Sequence, residues 1–253
     1  DIYIAASFGA GFLGPSSIFA WIIAGLMALV IALCFAECSS LVPRVGGPYA
    51  YAKEAFGDFV GFLVGWSLLI AEWSAIAVFP LAFVAYLKYF YPAMPVWEQI
   101  VIKILFVLFL TIVNYKGVKE AGKVNDILTV LKIAPIFLLT IIGILLFVIR
   151  PSELVSHFTP IAPIGFGGLG SALVLIFWAY VGFELVTVPS DEIINAKATI
   201  PRAILMGMGI VTLFYVLTNF VIIGTVPWME LAASSAPLAL AGYAVMGSVG
   251  ALI

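Results

Sequence analysis

Apolar residues in this chain come in long unbroken runs, neither alternating as in a half-buried strand nor forming the single stripe of a soluble helix. The runs cover residues 15–41, 59–87, 97–115, 124–149, 171–188 and 203–226. At about 1.5 Å of rise per residue, stretches of roughly 18 residues or more match a hydrocarbon layer about 30 Å thick. The pattern therefore predicts six membrane-spanning helices. Residues 1–13 and 237–253 are too short to cross, and no initiator Met opens the chain. Both points lead us to expect a piece of a longer protein, entering part-way through one helix and leaving inside another.

The polar stretches between the runs set the orientation. Residues 42–58 carry Arg44 and Lys53, residues 116–126 carry Lys116, Lys119 and Lys123, and residues 190–202 carry Lys197 and Arg202. The intervening connections hold Lys88, Arg150 and His157. Because basic residues accumulate on the cytoplasmic side, loops 42–58, 116–126 and 190–202 are expected there, with Tyr89, Tyr91, Trp97 and Trp228 at the bilayer interfaces. Within the first loop, Gly46-Gly47 permits a bend and Tyr49, Tyr51 and Phe56 supply an apolar face. It reads as an amphipathic segment lying along the membrane.

Composition narrows the function. With 64% hydrophobic and 9% charged residues over 253 positions, the chain has no room for a sizeable soluble domain, which excludes most enzyme classes. A net charge of −2 offers no basic surface, so no nucleic-acid partner is expected. His157 is the only histidine, which leaves no zinc or histidine-based catalytic set; no cofactor is implied. Cys34 and Cys38 lie four apart in an apolar run, as two thiols on one helix face do. The run Gly165-Phe166-Gly167-Gly168-Leu169-Gly170 matches a dinucleotide-binding fingerprint but follows Pro160 and Pro163 and not a strand. It reads as an outer loop.

Charged residues inside the apolar runs carry the most information, because charge in hydrocarbon is costly. They are Asp1, Glu37, Glu72, Lys103, Lys132 and Glu184. Glu37 and Lys103 lie about one turn from a helix end and can reach the interface. Glu72 lies roughly 20 Å from either end of its run and cannot. It has to face other helices, where it can balance a cationic substrate, carry a proton or pair with Lys132.

The sequence resembles the amino acid–polyamine–organocation permeases, through ordered landmarks over almost the whole chain. These are Gly14-Pro15, the loop Pro43-Arg44-Val45-Gly46-Gly47-Pro48-Tyr49-Ala50-Tyr51, and Gly65-Trp66. Further on come Asn114-Tyr115-Lys116-Gly117, Val124-Asn125 to Lys132, and Phe177-Trp178-Ala179-Tyr180-Val181-Gly182-Phe183-Glu184. The last are Glu192 to Asn195 and Ile200-Pro201-Arg202-Ala203. Asn195-Ala196 stands where the family usually has Asn-Pro, and Asp1-Ile2-Tyr3 where it has a third glycine, an apolar residue and an aromatic.

The resemblance implies an all-α integral membrane protein with an inverted five-helix-repeat transporter fold. Residues 1–149 would be the first repeat, beginning in a partial helix one, and residues 171–253 an incomplete second repeat, helices six to eight. Substrate would sit near the midplane between the broken first helices of the repeats: Asp1, Ile2 and Tyr3 on one side, Phe177, Trp178, Ala179, Tyr180 and Gly182 on the other, with Glu72 nearby. A break frees N–H and C=O groups to bind a carboxylate or an amine. Gly182 tolerates non-helical angles, and Trp178 and Tyr180 can close over a ligand; close helix packing by the glycine and lipid contact by the aromatics is the rival reading. Lys132 would stand where sodium-coupled relatives hold their ion, with snorkelling to the interface as its rival, and Glu184 would take a gating or proton role. The expected activity is secondary active transport of amino acids or related amines in the cell membrane, coupled to protons. A polyamine or organocation exchanger and a non-transporting membrane scaffold are the alternatives.

Overall fold

In hydrocarbon a backbone has to satisfy its own hydrogen bonds, and apolar runs of this length do so by coiling into helices. The computed structural model describes residues 2–252, and no strand occurs among them. Asp1, expected near the substrate, lies outside the described residues. In chain order the helices are α1 (Ile2–Leu13), α2 (Ser17–Leu41), α3 (Pro48–Phe56), α4 (Asp58–Phe90), α5 (Val96–Tyr115) and α6 (Val118–Ile149). They continue with α7 (Pro151–Ser156), α8 (Leu169–Phe177), α9 (Ala196–Thr225), α10 (Trp228–Ala233) and α11 (Pro237–Met246). Among the described residues, six segments are long and apolar enough to cross a membrane: Ile2–Leu41, Asp58–Phe90, Val96–Tyr115, Lys119–Ile149, Leu169–Thr187 and Ala196–Thr225.

The first of these segments is two helices. A continuous helix would put residues 9 and 17 about 12 Å apart along its axis. Instead, a Cβ built on Gly9 would lie 3.1 Å from that of Ser17. The chain therefore doubles back at the 3₁₀ turn Gly14–Ser16.

Helix ends overrun the apolar runs. α6 begins at Val118 and α9 at Ala196, which reduces the expected loop 116–126 to Lys116 and Gly117. Hydropathy marks where the chain enters hydrocarbon, whereas the helical ladder continues into water where side chains support it. The Lys123–Glu120 pair, 2.8 Å apart at i,i+3, is such support. The loop 42–58 contains α3, with Tyr49 and Phe56 exposed. Its charges are matched internally: Arg44 lies 3.3 Å from Glu54, and Lys53 lies 2.8 Å from Asp58. The hydrogen bond to Asp58 holds the Lys53 ammonium above its usual range.

The core forms where α1, α2, α8 and α9 meet. Along α2, Ala20, Ala24, Ala28, Ala32 and Ala36 repeat every fourth residue and are all buried. Such a small-residue stripe lets a neighbouring helix approach closely, which in lipid is how helices gain packing energy. α9 takes that place, contributing Ile200, Ile204 and Met208. By contrast α5 buries none of its residues and α4 only Gly61, Pro80 and Val84. Their apolar side chains face outward, where lipid supplies the contact.

Candidate functional site

The fifth membrane-length segment does not stay helical. α8 ends at Phe177, Trp178–Tyr180 form a 3₁₀ turn, Val181 is extended (φ −68°, ψ 150°) and Gly182 is left-handed (φ 119°, ψ −16°). A second 3₁₀ stretch, Phe183–Thr187, follows. Regular i to i+4 bonding is thus lost across Ala179 to Gly182, the stretch singled out in the sequence. A Cβ on Gly182 would meet nothing within 4 Å, so the demand for glycine is torsional and not steric. One freed group is satisfied locally: the Gly182 N–H donates to Glu184 Oε2 at 2.9 Å.

Beside the break lies a groove of about 480 Å³ between α2, α4 and the broken span. Ile31, Phe35, Leu63, Leu68, Phe177 and Phe183 give it apolar walls, while Ser67 and Glu184 supply polar groups. Glu72 follows Ala71 of the wall along α4 and is half-buried. Among the described residues Glu72 makes no ion pair with Lys132, which was one of its three readings.

Tyr180 faces away from this groove. It is buried, its hydroxyl donates to the Trp21 carbonyl at 3.0 Å, and its ring packs against Trp21 and Tyr215. Ala179 is also buried, and Trp178 is half-buried. Ile2 and Tyr3 begin α1. Ile2 is buried, and the Tyr3 hydroxyl donates to the backbone carbonyl of Lys132 at 3.0 Å. α1 and α6 therefore meet at these two residues, with the Lys132 side chain itself exposed. The broken span is also held from the loop side. The Gly46 N–H donates to the Val188 carbonyl at 3.1 Å. Gly47 (φ 50°) lies so close that a Cβ there would come 2.4 Å from Thr187 Oγ1.

A broken span beside an acid-bearing groove is one way to handle a small polar solute inside a membrane, and comparison with known proteins identifies the lineage. Residues 2–253 match the amino acid permease family. The chain belongs to that family. As a permease chain it is all-α and multi-pass, resides in the cell membrane and has the inverted-repeat transporter fold. It is similar to the branched-chain amino acid permease BcaP of Lactococcus lactis subsp. cremoris (strain MG1363), at 30% identity over 95% of this chain and 56% of that protein. It is similar to the aspartate-proton symporter of Bacillus subtilis (strain 168), at 31% identity over 85% of this chain and 42% of that one. Asc-type amino acid transporter 1 of Homo sapiens is 29% identical over 91% and 46% respectively. The permease chain spans about half the length of the relatives it matches.

Sequence reasoning missed two features of the permease chain. Tyr86 of α4 meets both α1 and α11 through its hydroxyl, which donates to the Tyr3 carbonyl and accepts from the Leu238 N–H at 3.4 Å. Its sequence signal was a phenol within a span, a group that needs a partner when buried. Thr187, which meets the Gly46-Gly47 loop, carried no signal in the sequence beyond its place after Glu184.

Proposed function

We propose that this chain forms most of the translocating part of a secondary active transporter of amino acids or related amines. It works by alternating access and couples to protons. The observation that carries the reading is the interruption of the span at Val181 and Gly182 beside a groove lined by the Glu184 carboxylate. Freed backbone groups bind the zwitterion's ends without charged side chains, and Glu184 and Glu72 favour an amine. The apolar walls suit a substrate with an apolar side chain, in line with the similarity to a branched-chain amino acid permease. In this reading Asp1, Ile2, Tyr3, Phe177, Trp178 and Gly182 contribute to binding from the two first helices of the repeats, residues 1–149 and 171–253, while Ala179 and Tyr180, expected to line the site, are buried, with Tyr180 held against α2. Lys132 and Glu184 serve ion coupling, and Lys132 stands in for a sodium ion. A primary ammonium supplies one positive charge and three donors for backbone carbonyls, and the proximity of Tyr3 to the Lys132 backbone supports its place beside helix one. Proton coupling is further supported by the similarity to an aspartate-proton symporter.

The test is ligand-induced stabilisation of the purified full-length protein by a panel of amino acids and amines. Binding to the folded state alone stabilises it by RT ln(1 + L/Kd), with L the free ligand concentration, so the melting temperature rises with the logarithm of ligand concentration above Kd. Stabilisation by amino acids with apolar side chains, and not by dicarboxylates lacking an amine, is expected. A scaffold would show no stabilisation by any of them.

A further inference from the structure

We propose that Tyr86 is a positioning residue for substrate binding, whose hydroxyl fixes the first turn of α1 against α6 and α11; the role in binding rests on the transport reading above. The hydroxyl makes two bonds of opposite sense. It donates to the carbonyl of Tyr3 and accepts from the amide of Leu238. Leu238 is the second residue of α11, so its N–H has no carbonyl one turn earlier within that helix. The two tyrosine rings meet edge to face with centroids 5.5 Å apart. Tyr3 in turn reaches the Lys132 carbonyl with its own hydroxyl. Four helices, α1, α4, α6 and α11, are therefore joined through two phenols.

Only a group that both donates and accepts can sit at such a joint. Phenylalanine keeps the ring contact and loses both bonds, so it isolates the hydroxyl without removing packing. α1 is also tied further along, where Ser7 Oγ donates to the Ser234 carbonyl at 2.8 Å, so the helix stays docked when the joint is cut. The joint thus governs the order of the first turn of α1 and not its presence. A turn that has to be ordered on binding weakens affinity without touching the ligand.

The experiment compares full-length wild type, Tyr86→Phe, Tyr3→Phe and the double variant in proteoliposomes, using leucine as the transported probe, with hydrogen–deuterium exchange of the same proteins. Tyr86→Phe is expected to raise KM about fivefold with Vmax within twofold, and to speed exchange at the Leu238 amide about tenfold. The double variant is expected to raise KM by less than the product of the single effects. A KM within twofold of wild type overturns the positioning role, as does unchanged Leu238 exchange, and so does a fall in Vmax that only tracks folded protein. If wild type takes up no leucine or any other amino acid or amine, the transport reading fails. Exchange at residues 2–7 and at Leu238 then decides the joint alone: faster exchange in both supports it, and no change overturns it.

Discussion

Replacing Gly182 with alanine separates the torsional demand of the broken span from its packing. At φ 119° and ψ −16° the backbone lies where residues with a Cβ are strained, and the open space around the position leaves no steric contribution. The expected cost is about 1–3 kcal/mol, the usual penalty for a side chain held in a sparsely populated region. In an equilibrium between broken and straightened spans that corresponds to a shift of about 5- to 150-fold. The assay is thermal unfolding of the full-length protein in detergent alongside initial uptake rates in proteoliposomes. Gly182→Ala is expected to lower both, and Gly182→Val to lower them further, since a β-branched residue tolerates positive φ least. Gly25→Ala serves as the contrasting case, because its Cβ would come 2.4 Å from Thr212 Cγ2 in a regular helix and act by sterics alone. Wild-type stability and transport in both Gly182 variants would refute the argument.

Other positions give narrower expectations. Glu184→Gln retains an oxygen to accept from the Gly182 N–H, so stability should stay within about 1 kcal/mol of wild type while coupling to a pH gradient is lost; Glu184→Ala should cost about 1.5–3 kcal/mol more, read by denaturant unfolding. Gly47→Ala forces a Cβ against Thr187 at an unfavourable positive φ, so proteolysis of the 42–58 loop should accelerate at least severalfold. Glu72→Gln should weaken uptake of amine-bearing substrates, as measured by competition against labelled leucine.

How much of this was legible follows from what each residue must satisfy. The apolar runs fixed the six membrane-length segments, because length and hydropathy are local properties. The break was legible at Gly182, where one residue type is needed for one backbone angle, and the surrounding landmarks named the span. Partner choice was not legible. Tyr180 looked free to close over a ligand, yet a buried phenol needs an acceptor, and the Trp21 carbonyl on α2 supplies one. Glu72 admitted Lys132 as a partner by depth alone; among the described residues the two form no ion pair. The fourfold alanine repeat of α2 was present in the sequence as a periodic signal, hidden because alanine counts as merely apolar in a hydropathy reading.

The most direct test of the account is uptake of labelled leucine by the full-length protein in proteoliposomes, with an inward proton gradient and an inward sodium gradient imposed in turn. Accumulation driven by the proton gradient, unchanged when sodium is omitted and losing its pH dependence in Lys132→Ala, is the predicted result. Accumulation that requires sodium, or that keeps its wild-type pH profile in Lys132→Ala, would contradict it.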